Sequence, residues 1–371
     1  MQTRLVPSVM SLSLLAALAG CGGGSSGSAD PAAASDADPL ATTAMAANAD
    51  PGPAATPQAR RVGRSSGPTR ATAPMLDASD SQRIAAATAT AESTTNDCAP
   101  VRPFYWEVGD RNTRLASGSA TGSSQSKITS TTPMSIASAS KWIYAAYVAE
   151  RRHGALDAGD VEFLNFRSGY TSFRLCEQGQ TVDGCLASAT NGVYTAANEG
   201  NFYYNGGHME RHASLLGLGS LNNKSLAAEI RSQIGADVVL TYSQPQLAGG
   251  VVTTAGDYAR FLRKLLDGQL AMGGLLGASA VCTNPATCSQ ARFAPTPVGE
   301  SWHYSLGHWV EDDPQVGDGA FSSGGAFGFY PWIDAHKSYY GIVARMVQDG
   351  GKGSLYCGRA IRKAWLTGVA Q

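Results

Sequence analysis

Ser138-Ala139-Ser140-Lys141 opens the apolar run Trp142-Ile143-Tyr144-Ala145-Ala146-Tyr147-Val148-Ala149, and the reading of the chain turns on it. The run contains no Gly or Pro and predicts a helix. A serine three positions before a lysine then shares one helix face with it, hydroxyl and amine one turn apart. A serine hydroxyl attacks poorly at neutral pH without a base. An amine can be that base only when desolvation or nearby cations lower its pKa. The apolar residues after Lys141 predict such a desolvated setting, and a serine near a helix start gains backbone N–H groups for a developing oxyanion. Ser-x-x-Lys recurs at Ser124-Gln125-Ser126-Lys127. There a β-branched stretch closed by Pro133 follows, which predicts a loop.

Working outward, residues 104–108 (Phe-Tyr-Trp-Glu-Val) read as a strand, Gly109-Asp110 as a turn and 115–121 as a second strand. Residues 156–276 alternate loops with helical segments. The clearest of these has Thr254 and Asp257 as a capping pair, Tyr258, Phe261, Leu262, Leu265 and Leu266 at helical spacing, and Gly268 as the stop. Residues 327–333 and 339–347 read as a strand pair around the turn at 334–337. A last helix over 354–366 is expected to bury Leu355, Ile361 and Trp365 and to turn Arg359, Arg362 and Lys363 outward. Strands at both ends of a helical middle predict an α/β sheet domain interrupted by an α-helical one.

The 371 residues carry a net charge of −1, so no basic surplus points to nucleic acid. Residues 1–21 combine Arg4, an apolar stretch over 12–19 and Leu18-Ala19-Gly20-Cys21, which read as an export signal. That ending resembles the bacterial lipoprotein processing box, which implies a lipidated Cys21 and a membrane anchor at the cell envelope. Gly22 rather than Asp after the cysteine implies the outer membrane. Residues 22–95 are mostly Ala, Ser, Gly, Pro, Thr and Asp and read as a flexible tether, although the segment 77–92 carries an N-cap signal followed by helix formers. Six cysteines remain after Cys21 and allow fifteen pairings. The expected set is Cys176 with Cys185 and Cys282 with Cys288 as local clips, and Cys98 with Cys357 tying the ends of the folded domain. His208-Met209-Glu210-Arg211-His212 places two histidines on one helix face but lacks the His-Glu-x-x-His order and a third ligand, so no metal is expected.

Two more segments give the Ser-Lys pair its partners: Tyr203-Tyr204-Asn205, and Ser322-Ser323-Gly324-Gly325-Ala326-Phe327-Gly328-Phe329. Their order and spacing resemble the Ser-x-x-Lys, Tyr-x-Asn and (Lys/His)-(Thr/Ser)-Gly motifs of the serine β-lactamase and penicillin-binding-protein superfamily. The nearest likeness is to the branch of class C β-lactamases, D,D-peptidases and family VIII esterases. Residues 249–261 resemble that branch's helix before the third motif, and the resemblance spans about 104–366. It implies an antiparallel sheet flanked by N- and C-terminal helices, an inserted all-α domain, and no cofactor. The sheet part would be 96–155 with 290–371, and the helical part 156–289. It also implies Ser138 as the acylated nucleophile, Lys141 as its base, Tyr203 as the proton relay, Asn205 as a ligand of substrate or Lys141, and the Ser138 and Gly325 N–H groups as the oxyanion hole. A one-residue shift of register would exchange Tyr203 for Tyr204.

The third motif departs from the family, because Ser322 stands where Lys or His belongs. The electrostatic grip on a substrate carboxylate is therefore missing, a contact of the kind worth about 1.5–3 kcal/mol. The expectation is an exported monomeric serine hydrolase acting on an uncharged ester or amide. The rivals are a β-lactamase or D-alanyl-D-alanine carboxypeptidase, and a catalytically silent envelope binding protein of the same fold.

Overall fold

The strand Phe104–Gly109 is buried along its whole length, as a run of that composition must be when both faces are covered. In the computed structural model, which describes residues 78–122, 127–295, 299–347 and 351–371, it lies second in an eight-stranded sheet. The order across the sheet is Arg114–Ala120, Phe104–Gly109, Tyr340–Ala344, Tyr330–Ile333, Ala320–Ser322, His308–Glu311, His303–Ser305 and Val281–Cys282. All these neighbours pair antiparallel. The expected export signal, Cys21 and most of the tether lie outside the described residues.

Strand alternation divides the core in two. Phe104, Trp106 and Val108 face the terminal helices Asp80–Glu92 and Lys352–Thr367, where they pack with Trp332, Ile361 and Trp365. Tyr105, Tyr340 and Ile342 face the other way, toward a larger cluster built on the helices Ser140–Arg151 and Ala255–Leu266. The latter begins at Thr254, whose side chain accepts from the Asp257 N–H as its capping signal predicts. The helical part also carries two short pairings: Val251–Thr253 between Met134–Ser135 and Leu240–Tyr242, and Phe202–Tyr203 beside Ala291–Phe293.

Three disulfides join Cys98 to Cys357, Cys176 to Cys185 and Cys282 to Cys288, the expected set. The first closes a separation of 259 residues and fastens the segment after the first helix to the last helix.

Two expectations need correction. The globular part starts before residue 96: Ser79 and Gln82 form a reciprocal capping box at the head of Asp80–Glu92, and Arg83 Nη1 donates to the Trp365 carbonyl at 2.9 Å. The N-cap signal over 77–92 pointed to this helix, but not to its packing, because Ala87 and Ala91 supply a flat, small-residue face rather than an apolar stripe. Arg362, expected outside, is only 1% exposed. Its guanidinium is paired with Glu311 (2.8 Å) and Asp318 (2.7 Å), and Arg359 reaches the same Glu311 oxygen at 2.8 Å. Burial alone would raise the Glu311 carboxyl, but the two arginines hold it down to about 2.

Candidate active site

The chain enters the site through a tight turn. Ile136 donates its N–H to the Val251 carbonyl, and Ala137 then takes a φ of +44°, left-handed backbone that a side chain disfavours by roughly 1–2 kcal/mol. Ser138 follows on the outside of this bend, partly exposed, while Ala139 and Ser140 are buried. Ser140, the second serine of the tetrapeptide, clamps the helix start: its Oγ donates to the Ala137 carbonyl at 2.7 Å and accepts from the Val251 N–H at 3.2 Å. The Tyr258 hydroxyl adds a bond to the Ala139 carbonyl at 2.9 Å.

Lys141 is 5% exposed, and its Nζ donates to Ser138 Oγ at 2.9 Å and to the Ala248 carbonyl at 2.7 Å. No carboxylate pairs with it among the described residues. Burial therefore pushes the ammonium down, to about 7. The segment carrying Ala248 is fixed from behind by Glu210, a buried carboxyl that accepts the Leu247 N–H at 3.0 Å and is itself raised well above its ordinary range by desolvation.

The third side of the Lys141 amine is covered by Tyr204, whose ring centroid lies 4.9 Å from Nζ. The Tyr204 phenol stands near the Ser138 side chain. Burial pushes this phenol up and Ser138 only partly opposes it, so it stays neutral. Tyr203 points elsewhere: its ring leans on Phe293 at 5.6 Å and its carbonyl takes a hydrogen bond from His208 Nε2 at 3.0 Å. The cause is strand alternation. Phe202 and Tyr204 share the face packed on Phe166 and Tyr304, and Tyr203 occupies the opposite one. Asn205 stays out of the site as well. Its Oδ1 accepts from the Phe173 and Gly207 N–H groups, at 3.2 and 2.9 Å, and its Nδ2 donates to the Phe173 carbonyl at 3.2 Å. Counted from Tyr204, the position two residues on is Gly206.

The segment 322–326 alternates in the same way. Ser322 is fully buried and turned toward Glu311 on the far side of the sheet, without a well-formed hydrogen bond. Ser323 turns toward Ser138, its Oγ donating to the Ser138 carbonyl at 3.2 Å. The Gly325 N–H, expected to face an oxyanion, instead donates to the Phe329 carbonyl at 2.8 Å, continuing the ladder toward the next strand. What demands glycine at 325 is contact with the turn that leads into Ser138, since a Cβ there would stand 2.1 Å from the Ile136 carbonyl oxygen. The N–H groups of Gly324 and Ala326 alternate away from that ladder, and neither has an intramolecular acceptor among the described residues.

Several solved structures share this architecture. A candidate β-lactamase from Bacteroides dorei DSM 17855 aligns with a TM-score of 0.51 at 21% identity, over 70% of this chain and 93% of its own. Simvastatin synthase from Aspergillus terreus aligns at 0.53 and 13% identity, over 76% and 99%. EstCE1, a hydrolase with promiscuous acyltransferase activity, aligns at 0.50 and 14% identity, over 77% and 99%. The chain has the serine β-lactamase and penicillin-binding-protein fold. No family model and no curated protein sequence matches it.

Within this β-lactamase fold, the histidines at 208 and 212 are taken by separate structural bonds. His208 Nδ1 lies 2.7 Å from Ser168 Oγ, and His212 bridges Tyr144 and Asp160. Burial lowers His208 to about 3, so it stays neutral. Among the described residues, one group of ligand-type atoms is close enough for a metal, Cys176, Cys185 and Glu210, and its two sulfurs are spent in a disulfide. Sequence reasoning held Tyr204 only as the register alternative to Tyr203, and it missed Ser140 and the Glu210–Ala248 support of Lys141. Phe202 carried a signal for Tyr204, because an apolar residue two positions before it marks the inward face of a strand. A backbone carbonyl such as Ala248 leaves no signature in sequence.

Proposed function

We propose that the protein is an exported serine hydrolase that acts on an uncharged ester or amide through an acyl-enzyme on Ser138. The observation that carries this reading is the 2.9 Å contact between Ser138 Oγ and a Lys141 amine lowered to about 7, which supplies a substantial neutral fraction at physiological pH. Ser138 Oγ attacks the carbonyl carbon as its proton passes to Lys141 Nζ. The oxyanion is met by the Ser138 N–H and by an N–H of the 324–326 turn. Tyr204, as a neutral phenol, relays the proton from the Lys141 ammonium to the leaving oxygen or nitrogen. Water then repeats the sequence on the acyl-Ser138 carbonyl, releases the acid and restores the hydroxyl. Ser322 and Ser323 offer no charge to a substrate carboxylate, which favours neutral substrates. A hydrolase with promiscuous acyltransferase activity that shares the fold is consistent with that preference.

The test is intact-mass analysis after reaction with a fluorophosphonate, beside turnover of a short-chain activated ester and a chromogenic cephalosporin. One adduct is expected on the natural chain and none on Ser138→Ala, with the ester turned over faster than the cephalosporin. Tyr204→Phe should lower ester turnover by about 10² and Tyr203→Phe by no more than a few-fold. An adduct on Ser138→Ala, or none on the natural chain, removes the reading and leaves a binding protein of this fold.

We further propose that Cys21 is lipidated and tethers the domain to an envelope membrane. The three disulfides support an oxidising compartment. Cys21→Ser should shift the protein from the membrane fraction to the soluble periplasmic fraction. Unchanged fractionation would refute the anchor.

A further inference from the structure

Three guanidinium groups converge on a cleft of about 460 Å³ that plays no part in the chemistry above. Arg114 reaches it from the first position of the strand Arg114–Ala120, and Arg260 and Arg263 from the helix Ala255–Leu266. Two carboxylates also line it, and both are already engaged. Glu107 is buried and accepts from the Tyr105 and Tyr340 hydroxyls, at 2.7 and 2.8 Å, with Arg114 at 3.9 Å. Asp257 is bound by the Thr254 hydroxyl at 2.7 Å and by Arg260 at 2.6 Å.

The cations are far from saturated. A guanidinium has five N–H donors. Arg263 donates from Nη1 to the Tyr340 phenol at 2.8 Å, and among the described residues no carboxylate lies within ion-pair distance of it. Arg114 donates to the Tyr105 phenol at 3.1 Å, and its carboxylate partner is at the outer limit of an ion pair. Phenols satisfy the geometry of these donors without balancing their charge. Three positive groups against two committed negative ones leave one net positive charge and a fork of donors facing an open, polar volume. Asn112, on the exposed hairpin turn, forms part of the rim.

We propose that this cleft is a binding site for a small anion bearing carboxylate or phosphoryl groups, held by Arg114 and Arg263 with Arg260 at its side. Bidentate N–H pairing to such oxygens is the contact this geometry offers. The site stands independently of the Ser138 chemistry.

The experiment is isothermal titration of the full chain at physiological salt with citrate and, separately, with pyrophosphate, glycerol serving as the neutral control. Saturable binding of at least one anion at a single site is expected. Arg114→Gln and Arg263→Gln should each weaken it about tenfold or more, leaving ester turnover unchanged. Asn112→Trp, on an exposed turn where folding is not at stake, should block entry by bulk alone. Citrate binding without pyrophosphate assigns the site to carboxylates, and the reverse to phosphoryl groups. No saturable heat with either anion overturns the proposal. Equal affinity in Asn112→Trp and in the folded arginine variants overturns it too.

Discussion

Lys141→Met lowers kcat/KM for a neutral ester by on the order of 10³, with kcat falling in parallel and KM nearly unchanged. The size follows from the position of the amine. It contacts the oxygen of the proposed nucleophile, is the one basic side chain hydrogen-bonded to it among the described residues, and has no carboxylate neighbour among them to take its place. Met keeps the stem's volume and apolar packing, so the loss reports the amine rather than a cavity. The natural protein should gain activity as pH rises through about 7, because burial disfavours the ammonium and the proposed mechanism uses the neutral amine. The Tyr204 phenol is pushed well up, so its ionisation lies beyond that plateau. Arg at 141 keeps the charge but stays protonated, and it should be as inactive as Met. Stopped-flow or plate-based turnover across pH measures all three proteins. A profile flat for about two units either side of neutrality would place the proton on some other group.

The second large effect is on stability. Arg362→Leu should cost about 3–5 kcal/mol in chemical denaturation with the disulfides intact, since it strands a buried carboxylate that Arg359 alone only partly balances. Glu311→Gln in the same background should recover much of the loss by removing the stranded charge. The acid response supplies a second readout. Glu311 is held at about 2, below the ordinary carboxylate value of about 4.3, so its contribution is fully present above that value and is lost as pH falls through about 2. In Arg362→Leu the carboxyl rises, and stability is lost at a milder pH. A variant as stable as the natural chain would mean that the cluster contributes specificity alone.

Legibility followed the kind of information each feature depends on. The Ser138–Lys141 pair, the capped helix at Thr254 and the two short cysteine clips are local patterns, and each is where its spacing predicts. Arg362 misled because a cationic helix residue is read as exposed unless its partners are known, and Glu311 and Asp318 lie on other elements 44 to 51 positions away. Tyr203 and Tyr204 are adjacent and chemically equal, so only the side of a two-residue strand separates them. Gly325 is needed for its close approach to Ile136 rather than as the oxyanion donor that the resemblance implies.

The hydrogen bond from Lys141 to the Ala248 carbonyl has a consequence for how this site tolerates variation. Every amino acid supplies a carbonyl, so small replacements at 248 preserve the acceptor, and no single side-chain deletion there can erase it. The burden of inheritance moves to the groups that hold the strap in place, Glu210 through Leu247 and Ser140 through Val251. Drift in a lineage of such chains would therefore be silent at the atom nearest the Lys141 amine and felt one layer out, at the side chains that hold the strap.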